Sequence, residues 1–367
     1  MRDSIYYASD KDLFDALSSK RKFFTESILH EICNKRGIFL SRDDERSSLI
    51  DYISVLPHSV YDLEYIRQHL QANVRTERNA STKIVGDALE NIKLAEILTD
   101  FKDNRSSVYN EQYNIIQSSN ETITIDIDYE EIDYGNTRLR QKQKKSARME
   151  INKDSDGEIS IRHNANERMD DITKNLLKHI KMNIPEEAKI EQKQIELSDI
   201  NSAALRTEFF IQLISSINEY SLDDVTTINI TAMKNIIVTE EEQASVQQEM
   251  LGKLRSALLK GENLLASKEY ADLNKSNFYI SGIQWTIKDK AKNKFRIESN
   301  FRDTKNCSNF EYDVKGMFEY KDGQYLKTIK PVVGIIKNDL LQQIEYNALI
   351  IIEKLSEENK KKLDIRK

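Results

Sequence analysis

Residues 121–130 read ETITIDIDYE, and this run decides the fold class. Ile123, Ile125, Ile127 and Tyr129 alternate with Thr124, Asp126, Asp128 and Glu130. A period of two belongs to an extended chain with one buried face and one wet, here acidic, face. Upstream the apolar residues recur at helical spacing instead. Leu13 and Leu17 do so in residues 11–18, and Leu63, Ile66 and Leu70 in 60–70. Ile84, Val85, Ala88, Leu89, Ile92, Ala95, Ile97 and Leu98 give 82–101 the pattern of one long amphipathic helix. Polar residues 71–81 read as a loop and 103–119 as a boundary.

Downstream, the turn Asp154-Ser155-Asp156-Gly157 between Met149-Glu150-Ile151 and Ile159-Ser160-Ile161 predicts a β-hairpin. Helices follow over 169–182 and 206–220, with a short strand at 194–197 and further strands in 225–238. Thr239 with Glu242 forms a capping box for a helix running through Leu259. Residues 278–287, 294–301, 310–320 and 324–329 alternate branched or aromatic residues with charges, as in an antiparallel sheet wet on one face. A helix over 338–354 closes the chain. The expected class is therefore α+β: a helical N-terminal region, then a mixed α/β body ending in an antiparallel sheet and a C-terminal helix. The boundaries this suggests are 1–75, a helix and linker over 76–118, and a body over 119–367 with a sub-boundary near 185–200.

The chain has 367 residues, 39% hydrophobic and 32% charged, with a formal net charge of −6. That balance argues against a protein that coats nucleic acid indiscriminately but leaves room for a local basic patch. No apolar run reaches membrane length and residues 1–20 lack a signal-peptide pattern, so a cytoplasmic location is expected. With 10 Gly the chain has neither a P-loop nor a G-x-G-x-x-G turn, and H-E-x-x-H, G-x-S-x-G and C-x-x-C are absent too. Two cysteines make no disulfide framework, and Cys33 falls on an apolar helix face. The five histidines share no short metal-ligand spacing, so no cofactor or structural metal is expected.

Residues 25–58 predict two short helices joined by an extended segment. Thr25 caps the first, Leu29, Ile32 and Cys33 share its inner face, and Gly37 ends it. Ile38 to Leu40 run extended, Ser41 caps the second, and Leu49, Ile50 and Ile53 line that helix before Pro57. This order of Leu29, Ile32, Gly37, Ile38, Ser41, Leu49 and Ile53 resembles the SAP-type helix–extension–helix module. The resemblance covers about a tenth of the chain and implies duplex DNA binding, with Lys35, Arg36, Arg42 and Arg46 as phosphate contacts. It departs from the family where Asp43, Asp44 and Glu45 stand in place of a Gly-x-Lys turn, since carboxylates suit a helix start but repel phosphate.

Three further features carry chemistry. Residues 137–148, TRLRQKQKKSAR, bring Arg138, Arg140, Lys142, Lys144, Lys145 and Arg148 together with no acid, a charge density able to follow a phosphate backbone. The acidic strand before it offers the competing outcome, mutual neutralisation across a sheet. Asp313-Val314-Lys315 and Glu319-Tyr320-Lys321 have the acid-x-Lys form of a restriction-type nuclease, with Asp303 or Glu298 upstream. In such a site the acids hold Mg²⁺ and the lysine orients the attacking water. Trp285, Phe278, Tyr279, Tyr312, Phe318, Tyr320 and Tyr325 provide either a base-stacking platform or an aromatic core.

Together these features lead us to expect a non-catalytic, DNA-binding subunit of a larger assembly. The Lys- and Ile-rich, Gly-poor composition resembles that of accessory proteins in bacterial phage-defence and restriction systems. A Mg²⁺-dependent nuclease and a protein-interaction subunit without nucleic acid are the alternatives. Oligomerisation is compatible with all three.

Overall fold

The computed structural model describes residues 8–18, 24–70, 77–86, 89–90, 92–117, 122–154, 156–185, 189–233, 239–259 and 278–364. In chain order its elements are α1 (Asp10–Ser18), α2 (Glu26–Asn34), α3 (Arg46–Ser54), α4 (Val60–Leu70), β1 (Asn79–Val85), α5 (Leu94–Val108), β2 (Glu111–Gln117), β3 (Thr122–Ile132), α6 (Arg138–Gln141) and β4 (Lys142–Lys153). They continue as β5 (Ile159–Asn164), α7 (Glu167–Met182), β6 (Glu191–Gln194), α8 (Ala203–Ile214), β7 (Ser221–Ala232), α9 (Glu240–Leu259), β8 (Phe278–Lys288), β9 (Lys294–Asp303), β10 (Ser308–Phe318), β11 (Tyr320–Lys321), β12 (Gln324–Tyr325) and α10 (Gly334–Asp364). The protein is α+β. Its two compact units are interleaved in sequence: residues 1–77, 94–118 and 123–149 form one, and 78–93, 119–122 and 150–367 the other.

In the first unit, α1 to α4 bury Leu17, Phe24, Leu29, Ile32, Cys33, Leu49, Ile50, Ile53 and Ile66 around one core, which Leu139 of α6 joins. Gly37 takes φ +73, the left-handed value that lets the chain leave α2, as its position in the sequence predicts. The second helix starts later than Ser41 suggests. Residues 42–44 turn, and α3 begins at Arg46, whose guanidinium donates to the Leu17 and Phe24 carbonyls at 3.0 and 3.2 Å. Strands β2, β3 and residues 142–149 of β4 form an antiparallel sheet. Buried Arg105 grips Glu111 with two hydrogen bonds of 2.8 and 2.9 Å, tying α5 to β2.

The second unit is built on an antiparallel sheet of order β5-β1-β10-β9-β8-β7, with β6 also paired to β1. Val225, Ile228, Ile283, Trp285, Phe295, Ile297, Phe301, Phe310 and Tyr312 make its apolar face, covered by α8 and α10. Each fully buried aromatic or branched side chain there contributes about 2 kcal/mol of hydrophobic stabilisation. The alternate residues of β9, namely Arg296, Glu298, Asn300 and Arg302, point to the opposite, polar face. On that side α7 packs against β5. Gly282 lies where a Cβ would come within 2.8 Å of the Asn300 Cβ, so the β8–β9 pair closes tightly only because this residue has no side chain.

The edge strand β7 is closed by a helix. Gln243, Gln247 and Arg255 of α9 donate to the carbonyls of Ile230, Ile228 and Val225. Four residues of helix rise about 6 Å, close to the rise of two residues of strand, so Gln243 and Gln247 match the alternate carbonyls of Ile230 and Ile228. The capping box that starts α9 forms as its sequence predicts: Thr239 N–H donates to Glu242 at 3.0 Å and Glu242 N–H to Thr239 at 3.2 Å.

Two further sequence expectations change. Residues 82–101 are not one helix: Ile84 and Val85 belong to β1, whose pairing with β5, β6 and β10 overrides a helical spacing that is accidental. The polar stretch 103–119 contains the end of α5 and the whole of β2, with Tyr113 buried and Asn114 exposed in alternation.

Candidate functional site

The basic run on α6 and β4 lies against the acidic face of β3. Lys142 meets Glu130 at 2.8 Å, Arg148 clasps Asp126 at 2.7 and 3.2 Å, Lys145 pairs with Glu131, and Ser146 donates to Asp128. Cross-strand neutralisation thus takes up three of the run's six cations. Arg138 and Lys144 remain exposed with no ion-pair partner among the described residues, and the Arg140 side chain lies outside them. Near the SAP-like segment, Lys35 pairs with Glu31 at 2.9 Å and caps the Tyr65 ring at 3.6 Å. Arg36 donates to the Pro57 carbonyl, and Arg46 holds the two carbonyls described above. Arg42 alone of these four projects unpaired among the described residues.

A different set of charges converges on the polar face of the second unit's sheet. They form a chain of alternating sign: Asp170, Arg302, Glu311, Arg78, Glu298, Lys315, Asp313, Lys337. Arg302 is 2.7 Å from Asp170, Arg78 is 3.2 Å from Glu311, and Lys315 is 2.7 Å from Glu298. Lys337 approaches Asp313 at 3.2 Å, and the Asn79 amide donates to the same carboxylate at 3.4 Å. Burial opposes charge on Glu298, but hydrogen bonds from Lys315 and Arg78 outweigh it and hold the carboxyl below its usual range. Burial likewise opposes charge on Arg78 and Arg302, and their carboxylate partners overcome it and raise both.

The chain brings one predicted acid-x-Lys pair into contact and gives the acid of the other a different partner. Asp313 and Lys315 lie on β10 with Glu298 in register across β9. Glu319 instead pairs with Lys330, and Lys321 is exposed at the β11–β12 turn. Asp303, the other upstream acid, closes a turn onto Asn306 at 3.1 and 2.7 Å. Gly316, at φ +154 in the bulge after Lys315, lets the Lys330 carbonyl come close enough to accept from Met317 at 2.8 Å.

Beside the Asp170 end of the chain lies a groove of 520 Å³ between α7 and the strands β1 and β6. Lys174, Lys178 and Lys181 recur at helical spacing along its α7 wall, exposed and with no ion-pair partner among the described residues. Gln192, Gln194 and Asn309 add amides to the lining. Thr173, 4% exposed, lines the groove with a hydroxyl that has no hydrogen-bond partner among the described residues. His163 is buried there, its Nδ1 2.9 Å from the Asn164 carbonyl, and desolvation holds its pKa below the ordinary value despite nearby Asp170.

At the other end of β9 the sheet borders a cavity of 620 Å³ lined by Arg296, Lys294, Thr286, Phe318 and Tyr325 among others. The aromatic residues divide accordingly. Trp285, Tyr279 and Tyr312 are core, all at most 1% exposed, while Phe318, Tyr320 and Tyr325 stay half-buried beside this cavity or in the adjoining hairpin.

Lys174, Lys178, Lys181, Arg302, Arg78 and His163 carry no site signal in the sequence. On an amphipathic helix such lysines look like any solvated face, and only the fold shows a groove beside them. Among the described residues no group of three or more His, Cys, Asp or Glu is arranged to hold a metal ion, and no helix is long and apolar enough to cross a membrane. No protein-family model matches the chain, and no curated protein matches it either.

Proposed function

We propose that this protein binds nucleic acid, without catalysis of its own, as a component of a larger assembly, and that the polar face of the second unit makes the contact. The carrying observation is the row Lys174, Lys178 and Lys181: three cations along one groove with no ion-pair partner among the described residues, in a protein most of whose other candidate cations are engaged internally. Lysines free of carboxylates release counterions when they meet phosphates, whereas paired ones must first lose a partner. The groove's amides and the Thr173 hydroxyl supply neutral donors for phosphate or sugar oxygens.

Fluorescence anisotropy with labelled DNA, single-stranded and duplex, at several salt concentrations tests this. The Lys174→Ala/Lys178→Ala/Lys181→Ala variant is expected to reduce the slope of log K against log salt by about two. Neutralising Lys142, Lys145 and Arg148 should leave that slope unchanged. Equal slopes for the α7 variant and the wild type would overturn the proposal.

A metal-dependent nuclease has one observation in its favour, the register of Glu298 with Asp313 and Lys315. Against it, each of these carboxylates is held by two cations. Mg²⁺-dependent cleavage of DNA that disappears in Asp313→Asn would establish that alternative.

A further inference from the structure

The cavity at the far end of β9 suggests what kind of nucleic acid the surface takes. Arg296 stacks its guanidinium over the Phe318 ring at 4.8 Å, and its Nε is buried with no hydrogen-bond partner among the described residues. No carboxylate lies within ion-pair distance of Arg296 among the described residues. Nearby, Tyr325 is packed edge-on against Tyr320 at 5.1 Å and covered by Lys294 at 4.3 Å. Lys294 is itself bound to Asp223 at 2.9 Å, and Arg255 to Asp224 at 3.3 Å, so the acids lining this cavity are already paired. The Thr226 and Thr286 hydroxyls donate to Gln284 and Asp223, so what remains for a ligand is an aromatic wall and the Arg296 guanidinium, in a volume of nucleotide size.

We propose that this cavity receives a base of a single-stranded nucleic acid whose phosphates lie along the α7 lysines; this rests on the nucleic-acid reading above. Arg302 and Arg296 stand at the two ends of one polar row on β9, and six strand residues span about 20 Å, room for several nucleotides. The charge chain crossing that row alternates in sign, so it neither attracts nor repels a backbone strongly. The two ends differ in chemistry, cations at one and aromatic rings with a guanidinium at the other. That is the division of labour of a single-strand site, where phosphates give affinity and exposed base faces stack. A duplex keeps its bases stacked internally and has none to offer the cavity.

Anisotropy with a single-stranded oligonucleotide and its duplex, joined to 2-aminopurine fluorescence, tests the inference on the 367-residue chain. Single-strand binding is expected to exceed duplex binding, with 2-aminopurine quenched in the complex. Tyr325→Leu and Phe318→Leu, which keep apolar volume but remove the ring, should each weaken single-strand binding about tenfold and relieve the quench. Their salt slope and thermal midpoint should stay as in the wild type. If both variants bind and quench like the wild type while the lysine variant loses its salt slope, the base site is wrong and the phosphate site stands. If no DNA binds the wild type, both fall. If adenosine 5′-monophosphate binds and oligonucleotides do not, the cavity takes a free nucleotide and the inference fails.

Discussion

Glu298 stands directly across from Asp313 in the β9–β10 register, and the Lys315 ammonium reaches both, at 2.7 and 3.5 Å. Two adjacent carboxylates on half-buried strands repel unless a cation lies between them. Lys315→Ala should therefore destabilise the protein by about 2 kcal/mol, between the cost of a surface pair and that of a buried one. Adding Asp313→Asn to that variant removes one of the two like charges and should restore part of the loss, read as the urea midpoint.

On the opposite face of the sheet, Arg162 is 4% exposed and lies between Glu345 of α10 and Glu150, the latter at 2.9 Å. The Tyr312 hydroxyl donates to the same Glu345 carboxylate. Glu345→Ala leaves a buried guanidinium with half its compensation and should cost about 3 kcal/mol. Replacing both partners, as Arg162→Met with Glu345→Leu, should recover most of it. Tyr312→Phe should cost about 1 kcal/mol, because the carboxylate retains its cation.

His163 makes stability depend on pH from a higher value than the carboxylates do. Its pKa is depressed in the fold by burial, so the unfolded chain takes up a proton first as pH falls through the ordinary histidine value near 6.5. Stability is then fully present above that pH and declines below it, by about 1.4 kcal/mol for each unit of depression. Glu298, also depressed, loses its share only below about pH 4.5. The stability of His163→Gln should accordingly fall less steeply than that of the wild type as pH drops below about 6.5.

The ion pairs between β3 and β4 are solvent-accessible, so each should contribute less than 1 kcal/mol. Neutralising Lys142, Lys145 and Arg148 together should lower the thermal midpoint by only a few degrees. In high salt, where these pairs are screened, the difference from wild type should shrink, as differential scanning fluorimetry would register.

Much of the fold is legible in residue patterns, and the reasons are local. Period-two alternation marks β3 and β9, Thr239 and Glu242 announce α9, and Gly37 ends α2 where its spacing places it. Strand β1 is not legible, because Ile84 and Val85 sit at helical spacing from Ala88 and Leu89, and only three distant partners settle them as strand. The site is less legible still. Asp313 and Lys315 carry a recognisable spacing, but their charge chain is completed by Arg78 and Lys337, which only long-range pairing brings near. The basic run is conspicuous because it is contiguous, and the acidic alternation of β3 before it already offered the pairing that neutralises half of it, though not which three cations it would take.

Helix α9 has a consequence for how this molecule meets others. Its Gln243, Gln247 and Arg255 occupy main-chain acceptors that an incoming extended peptide would otherwise use. Recruitment by strand addition, a common way for sheets to gather peptide partners, is therefore blocked along β7 while α9 stays docked. A partner reaching this side of the second unit must recognise side chains or α9 itself, and its specificity would be written in shape and charge instead of backbone pairing.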